Sequence, residues 1–274
     1  MALQPGEIYN ILLPWNMNFN SVMLEVGLCV FSYILVLCIE FAPALLERFG
    51  AKGLLQTLNK VLFFVIALGI LLPTMHQSSL GSMLIAMGYK VHPLWQTLHL
   101  QPLLALLTAL TMGFAVVVFE ASFGSVGFRR PAETPLLANL GKAIIGLLGV
   151  YLIIRFGEIL LRGKLGAILA GDLGSLMFLL ETALFIFPLV VLSSAKRRAH
   201  GPLLLWAAVS MLFAGSLYRF NAFLITYNPG PGYSYFPSVP EIMVTAGVVA
   251  VEIMAYLYVV KRFPVLHNAE PSRP

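Results

Sequence analysis

The side chains of this sequence that can do chemistry are ionisable residues inside long apolar runs, or at the edges of such runs. A charge in the hydrocarbon of a membrane costs at least a few kcal/mol, so these residues are rare and usually line a path for protons, ions or substrates. Single members can instead hold helices together or lie at the level of the lipid headgroups. The set comprises Glu25, Glu40, His76, Glu120, Arg155, Glu158, Glu181, Arg219, Glu241 and Glu252.

The composition indicates a membrane protein. The chain is 59% hydrophobic and 11% charged, whereas a soluble domain carries about 25% charged residues. We therefore predict a polytopic integral membrane protein with a single transmembrane domain over residues 1–274. Its net charge of +5 does not indicate nucleic-acid binding, because the basic residues are segregated between the two sides of the membrane.

Seven apolar runs are long enough to cross a hydrocarbon core of about 30 Å as helices, which takes about 20 residues each. They lack the alternation of barrel strands, and only helices or closed barrels satisfy their backbone in lipid. The sequence predicts an all-α bundle of about seven transmembrane helices. The predicted spans are 20–45, 54–75, 102–124, 140–161, 173–194, 202–223 and 241–262.

The connections between these spans differ sharply in basic charge. Of the seventeen lysines and arginines, twelve fall on one side of the spans, three fall on the other, and Arg155 and Arg219 lie inside spans. Because basic residues concentrate on the cytoplasmic side, we predict a periplasmic N-terminus and a cytoplasmic C-terminus.

This orientation converts sequence position into depth. Glu40, Glu120 and Glu252 fall in the cytoplasmic half, where acids outnumber nearby buried bases. Such acids can titrate and serve as a proton pathway, although a water-filled cavity would produce the same pattern. In the periplasmic half, Arg155 and Glu158 are three residues apart on one helical face, which predicts a structural ion pair.

His76 is predicted at the periplasmic end of the second span, in the stretch LLPTMHQSSLGS. A quinone head group needs a hydrogen-bond donor and a proton source, and a histidine supplies both; the alternative is a histidine that faces headgroups. All five histidines are predicted at span ends or in connections, and Cys29 and Cys38 form no C-x-x-C motif. Haem and iron–sulfur ligation are therefore not expected, nor is a metal site.

The chain resembles the NrfD/polysulfide-reductase membrane subunit family, in particular its hydrogenase-2 (HybB) branch. The resemblance rests on NFNSVMLE with Glu25, IEFAPALLERFG with Glu40, LNKVLFFVIALGILLPTMHQSSLGSMLIAMGYKVHPLWQ with His76, GFAVVVFEAS with Glu120, and YNPGPGYSYFP. It implies a quinone-reactive subunit without a cofactor of its own in the bacterial inner membrane, with quinone, expected to be menaquinone, as substrate. It also implies partners: a periplasmic ferredoxin-like iron–sulfur subunit and the small and large subunits of a nickel–iron hydrogenase.

The same resemblance assigns site residues. His76 and Glu25 correspond to quinone-linked positions, and Glu120 and Glu40 to the proton pathway. Members of this branch usually have ten spans, so the resemblance implies that this chain starts just before the fourth. Three explanations are compatible with the missing spans: a misassigned start, a split or truncated gene, or a partner that supplies the missing helices. In each case the quinone site is incomplete in this chain.

Two other functions compete with the quinone-linked subunit, which would not itself carry the hydrogenase catalytic centre. A proton-coupled transporter would also explain intramembrane acids, but usually shows broken helices and inverted repeats, which we do not find. A passive membrane anchor would have no need of the costly acids in the cytoplasmic half.

Overall fold

The computed structural model describes residues 19, 21–97, 99–127, 134–230, 232–233 and 235–262. This part of the chain is almost entirely helical, with a single isolated β-bridge between Val91 and Tyr227. A π-helical segment, Asn221–Ile225, extends the seventh helix. The α-helices are α1 (Val22–Phe49), α2 (Lys52–Met87), α3 (Gln101–Gly127), α4 (Thr134–Leu161), α5 (Leu173–Ser193), the short α6 (Ala195–Arg198), α7 (Gly201–Phe220) and α8 (Val239–Arg262).

Local polar contacts and one glycine fix several helix ends. Asp172 caps α5 by accepting a hydrogen bond from the backbone N–H of Ser175 at 2.8 Å. Before α8, the backbone N–H and the hydroxyl of Ser238 donate to the Glu241 carboxylate at 2.7 and 2.8 Å. Helix α1 ends at Gly50, whose φ of 70° is left-handed and suits a residue without a Cβ.

The prediction of an all-α membrane protein is confirmed, because seven helices of the described chain are long and apolar enough to cross a membrane. Asn20, the predicted start of the first span, lies outside the described residues. The predicted end of the second span at residue 75 is wrong, since α2 continues to Met87 with Pro73 inside it. A proline removes one backbone donor, but a spanning helix tolerates this when neighbouring helices or serine and threonine side chains satisfy the freed backbone group. His76 therefore lies within α2 and not at its end.

Contacts between Cα atoms divide the chain into two compact units, residues 81–236 and residues 1–80 with 237–274. In the unit of residues 81–236, helices α3, α4, α5 and α7 pack against one another around a core that includes Tyr151, Phe185 and Met211. We call these four helices the α3–α7 bundle. The first residue of this unit, Gly81, packs against Pro102: a Cβ on Gly81 would lie 2.5 Å from the Cα of Pro102.

The other unit contains α1, most of α2, and α8. The described residues of α8 include no buried side chain, and the most apolar stretch of α2 has none either. Two contacts between α1 and α2 involve carboxylates and are described below. That the chain forms a single domain with its N-terminus in the periplasm stays a prediction.

Candidate functional site

A buried ion pair lies inside the α3–α7 bundle. Arg155 on α4 donates from Nη1 to the Oε1 of Glu181 on α5, and the two residues are 3% and 0% exposed. The predicted pairing of Arg155 with Glu158 is wrong, because Glu158 is half-buried and has no ion-pair partner among the described residues. Although the two residues share a helical face, the Arg155 side chain points across the core to α5 and bonds Glu181 there.

Glu181 also accepts two neutral hydrogen bonds. The indole Nε1 of Trp95 donates to Oε2 at 3.0 Å, and the Nδ2 of Asn221 donates to the same oxygen at 2.7 Å. A buried carboxylate is tolerated only when it is paired and hydrogen-bonded. Glu181 thus joins α4, α5, the connection after α2 and the π-helical segment after α7.

Four aromatic rings surround the Arg155 guanidinium. Its Cζ lies 4.7 Å from the ring centroid of Phe178, 5.4 Å from that of Tyr218, 5.6 Å from that of Tyr151 and 5.7 Å from that of Trp95. Each desolvated cation–π contact of this kind is worth about 0.5–2 kcal/mol. These four rings, which we call the aromatic cage, therefore stabilise the Arg155 cation, as the Glu181 carboxylate also does.

A small cavity of about 10 Å³ adjoins Arg155, on whose other side Glu181 lies, and Gln101 and Tyr218 are among its other lining residues. The Nε2 of Gln101 donates to the Tyr218 hydroxyl at 2.8 Å, and the Thr97 hydroxyl donates to the Oε1 of Gln101 at 3.1 Å. A volume of roughly 10–15 Å³ holds one water molecule.

Polar contacts hold the connection between α2 and α3 on this bundle. Arg162 donates from Nη2 to the Oε1 of Gln96 at 3.0 Å, and the Nε2 of His92 lies 3.6 Å from Asp172 Oδ2. Burial lowers the pKa of His92, an effect that Asp172 partly opposes. The pKa of Asp172 is lowered, chiefly by the hydrogen bond from the Ser175 backbone.

A second polar contact joins α1 to α2 in the other unit. The Ser79 hydroxyl donates to the Oε1 of Glu25 at 2.7 Å. His76 precedes Ser79 by three residues on α2, so both lie on one face of the helix. The Glu25 carboxylate therefore contacts α2 one helical turn beyond His76, and these are the two residues that the sequence assigns to quinone.

The three acids predicted for a proton pathway lie on three different helices, and Glu40 and Glu252, which belong to the same unit, share no hydrogen bond or ion pair among the described residues. Glu40 lies against α2, where a Cβ on Gly69 would be 2.5 Å from its Oε1, so the glycine makes room for the carboxylate. Glu120 on α3 and Glu252 on α8 are exposed. The described chain also contains no cluster of three metal-ligating side chains.

Sequence reasoning singled out Glu181 and Arg155 but missed the other two donors to the carboxylate, Trp95 and Asn221. Neither of these two residues carries a local pattern that links it to an acid in a distant helix. The only available signal was that an intramembrane acid requires donors, and that signal does not say which donors.

Comparison with known proteins places the chain in a family. It is 46% identical over 271 residues to the "Probable Ni/Fe-hydrogenase 2 b-type cytochrome subunit" of Escherichia coli (strain K12), an alignment that covers 97% of this chain and 69% of that protein. This chain belongs to the family of hydrogenase-2 membrane subunits. The predicted resemblance to that branch is therefore confirmed.

Two more distant relatives of this chain come from Nitratidesulfovibrio vulgaris (strain Hildenborough). One, named only "Protein", is 27% identical over 267 residues, with 93% of this chain and 68% of the relative covered. The other is the "Menaquinone reductase, integral membrane subunit", 27% identical over 155 residues, with 53% of this chain and 37% of the relative covered. No family model and no solved structure matches the chain.

The expectation that this chain binds no cofactor is wrong, because its Escherichia coli relative is named a b-type cytochrome subunit, which implies haem b. Axial ligation of that haem needs histidines or other strong ligands that face each other. Among the described residues, only His76 lies inside a spanning helix, while His92, His99 and His200 lie between helices. His267 lies outside the described residues. The histidines of the described residues therefore do not fit the pair of facing axial ligands that such a haem requires.

Proposed function

We propose that this chain is the quinone-reactive membrane subunit that passes electrons between a periplasmic hydrogenase module and the quinone pool of the bacterial inner membrane. The 46% identity to a hydrogenase-2 subunit supports the hydrogenase partner, and the likeness to a menaquinone reductase membrane subunit supports menaquinone as substrate. The partners are the small and large subunits of a nickel–iron hydrogenase and a ferredoxin-like iron–sulfur protein.

The contact between Glu25 and Ser79 is the observation that carries the quinone assignment. Reduction of a quinone consumes two electrons and two protons, and each carbonyl oxygen needs a donor. His76 can donate to one carbonyl and deliver a proton, while Glu25, hydrogen-bonded to Ser79 at 2.7 Å, relays the replacement proton. Electrons come from the hydrogenase module, so the step balances as quinone plus two electrons and two protons to quinol.

Glu40, Glu120 and Glu252 are proposed to carry protons through the cytoplasmic half of the membrane. One observation and one physical argument support this role. Glu120 and Glu252 have no ion pair in the described chain, and a carboxylate on a spanning helix without a compensating charge is costly unless it can be protonated. Glu120→Gln is expected to slow proton uptake during turnover without affecting assembly, because glutamine keeps the size but carries no proton.

The test of the quinone assignment is His76→Ala in the assembled complex, with hydrogen oxidation measured against two acceptors. A soluble dye takes electrons upstream of the membrane subunit, whereas quinone takes them through it. We expect quinone-dependent hydrogen uptake to be lost and dye-dependent uptake to stay nearly normal.

His99→Ala is the matched control, since His99 is an exposed histidine in the connection between α2 and α3. It is expected to leave both activities unchanged. A parallel fall of dye and quinone activities in His76→Ala would assign His76 to assembly, and full quinone activity would place the quinone site elsewhere.

A further inference from the structure

Residues from four helices meet at the predicted cytoplasmic end of the α3–α7 bundle. A Cβ added to Gly141 of α4 would lie 3.4 Å from the Cδ of Arg198 on α6. It would also lie 3.7 Å from a methyl carbon of Leu192 on α5 and 3.7 Å from one of Leu204 on α7. Residues in contact share one depth in the membrane. Because the predicted spans of α4 and α5 end at residues 140 and 194, this depth is the predicted boundary of the membrane, where lipid headgroups begin.

Arg198 fixes the short helix α6 at this depth. Its Nη1 donates to the backbone carbonyl of Leu192 and, at 3.0 Å, to that of Ser193. These bonds satisfy carbonyl groups that the end of α5 leaves without a helical partner. Arg198 therefore holds α6 against the bundle, and the two basic residues that precede it are presented at the surface.

Three exposed basic residues lie around this contact, and we call Lys142, Lys196 and Arg197 the basic patch. Lys142 follows the glycine in α4, and the other two come directly before Arg198 in α6, so each is within one helical turn of the contact. Lys142 donates to the side chain of Asn139 at 3.0 Å, and none of the three forms an ion pair with a described residue. The patch therefore carries three positive charges that no described carboxylate balances.

An exposed aromatic face continues from the patch into the membrane along α7. The backbone N–H of His200 donates to the carbonyl of Arg197 at 3.1 Å, so α6 leads into α7 within two residues. Trp206 and Phe213 on α7 are 62% and 64% exposed. A spacing of seven places them on one face of the helix, about 10 Å apart in depth. The amphipathic indole suits the headgroup level, and the phenyl ring suits hydrocarbon.

We propose that this end of the bundle binds an anionic phospholipid of the cytoplasmic leaflet. The lipid phosphate lies on the basic patch, and one acyl chain lies along Trp206 and Phe213. Each basic residue near a membrane surface favours anionic lipid by roughly fivefold. A soluble phosphate would leave the two rings uncovered, and a zwitterionic lipid would bring its own cation to the patch.

The basic patch also contributes to the orientation of the chain, since basic residues concentrate on the cytoplasmic side. Orientation alone requires neither a fixed depth for the charges nor an aromatic face beside them, and this end of the bundle has both. Binding of the lipid forms no covalent bond. The lipid site is separate from His76 and Glu25 and does not depend on the proposed function.

Quenching of tryptophan fluorescence by brominated lipid tests the proposal on the full chain in vesicles, without hydrogenase or quinone. Bromine on an acyl chain quenches a tryptophan that the chain contacts. The sequence has three tryptophans, so the signal of Trp206 is the difference between the wild-type chain and Trp206→Phe. With about a quarter of the lipid as brominated phosphatidylglycerol in phosphatidylcholine, we expect about twice the quenching that the same share of brominated phosphatidylcholine gives.

Variants of the patch test the source of this preference. Lys196→Gln combined with Arg197→Gln removes two exposed charges, and we expect the two brominated lipids then to quench Trp206 about equally. Glutamate at both positions should reverse the preference, because it repels the anionic lipid. Lys164→Gln is the matched control, since Lys164 is also exposed but lies on the predicted periplasmic side; it should keep the wild-type preference.

Three results would overturn the proposal. Equal quenching by the two brominated lipids in the wild-type chain would show that Trp206 has no anionic neighbour. A preference that survives in the double glutamine variant would place the lipid away from the patch. Glycerophosphoglycerol, the same headgroup without acyl chains, should leave the quenching unchanged when it is added in excess; a loss of quenching would assign the patch to a soluble phosphate.

Discussion

Replacing Glu181 by leucine is expected to destabilise the α3–α7 bundle far more than the same change at Glu158. Glu181→Leu leaves the cation of Arg155 without its carboxylate, and breaking one side of a buried pair costs about 3–5 kcal/mol. It also leaves the donors of Trp95 and Asn221 unpaired, at about 1–3 kcal/mol each. The ring contacts of Arg155 are present in both chains and cancel in the comparison, so we expect a net cost of at least about 3–5 kcal/mol.

Glu158→Leu is the matched control, because both glutamates lie on spanning helices but only Glu181 has an ion-pair partner in the described chain. Glu158 is half-buried, and its loss is expected to change the free energy of unfolding by about 1 kcal/mol or less. The measurement is denaturant titration of the purified chain in detergent micelles, followed by circular dichroism.

The double variant Arg155→Leu with Glu181→Leu gives a further check. It removes both charges, so neither is left unpaired, and it should recover part of the stability lost in Glu181→Leu. Equal losses from Glu158→Leu and Glu181→Leu, or a loss below about 1 kcal/mol for Glu181→Leu, would refute the pairing of Arg155 with Glu181 on which this reasoning rests.

Three further predictions concern other parts of the chain. Because the pKa of His92 is lowered in the folded chain, the unfolded chain takes up a proton at a higher pH, and stability should fall as the pH drops below the ordinary histidine value of 6.5. In His92→Gln, a plot of unfolding midpoint against pH should lose this slope. An unchanged slope would show that His92 is not its source. Gly81→Ala should cost about 1–3 kcal/mol in unfolding titrations because its Cβ meets the backbone of Pro102, whereas Gly113→Ala, with open space around it, should be neutral or stabilising. A reporter of membrane sidedness fused to the C-terminus should give a cytoplasmic signal, and a periplasmic signal would reverse the predicted orientation.

The seven spanning helices could be predicted because the requirement is simple: a membrane demands about 20 apolar residues, and each run meets it. The end of α2 could not be predicted from Pro73, because a spanning helix tolerates a proline when neighbouring helices or local side chains satisfy the freed backbone group. His76 was consequently placed at a helix end when it lies inside the helix.

The pairing of Arg155 shows why the site was only partly predictable. A spacing of three residues favours a local partner such as Glu158 when the side chains point to solvent. Helix α4 is apolar nearly all round, so its sequence does not reveal which face packs in the core. Once Arg155 faces the core, it pairs with an acid on α5, and only the packing of the bundle identifies Glu181 as that acid.

The hydrogen bonds that converge on Glu181 also set the depth at which each helix stands. Apolar helices in lipid gain little by sitting slightly higher or lower, because hydrocarbon solvates their sides equally well. A slip of one turn moves a side chain by about 5.4 Å, which would break every bond from Arg155, Trp95 and Asn221 at once. The Glu181 carboxylate therefore stabilises a single alignment of α4, α5 and the end of α7. If α4 or α5 were inserted at another depth, the charge of Arg155 or Glu181 would be left unpaired in hydrocarbon.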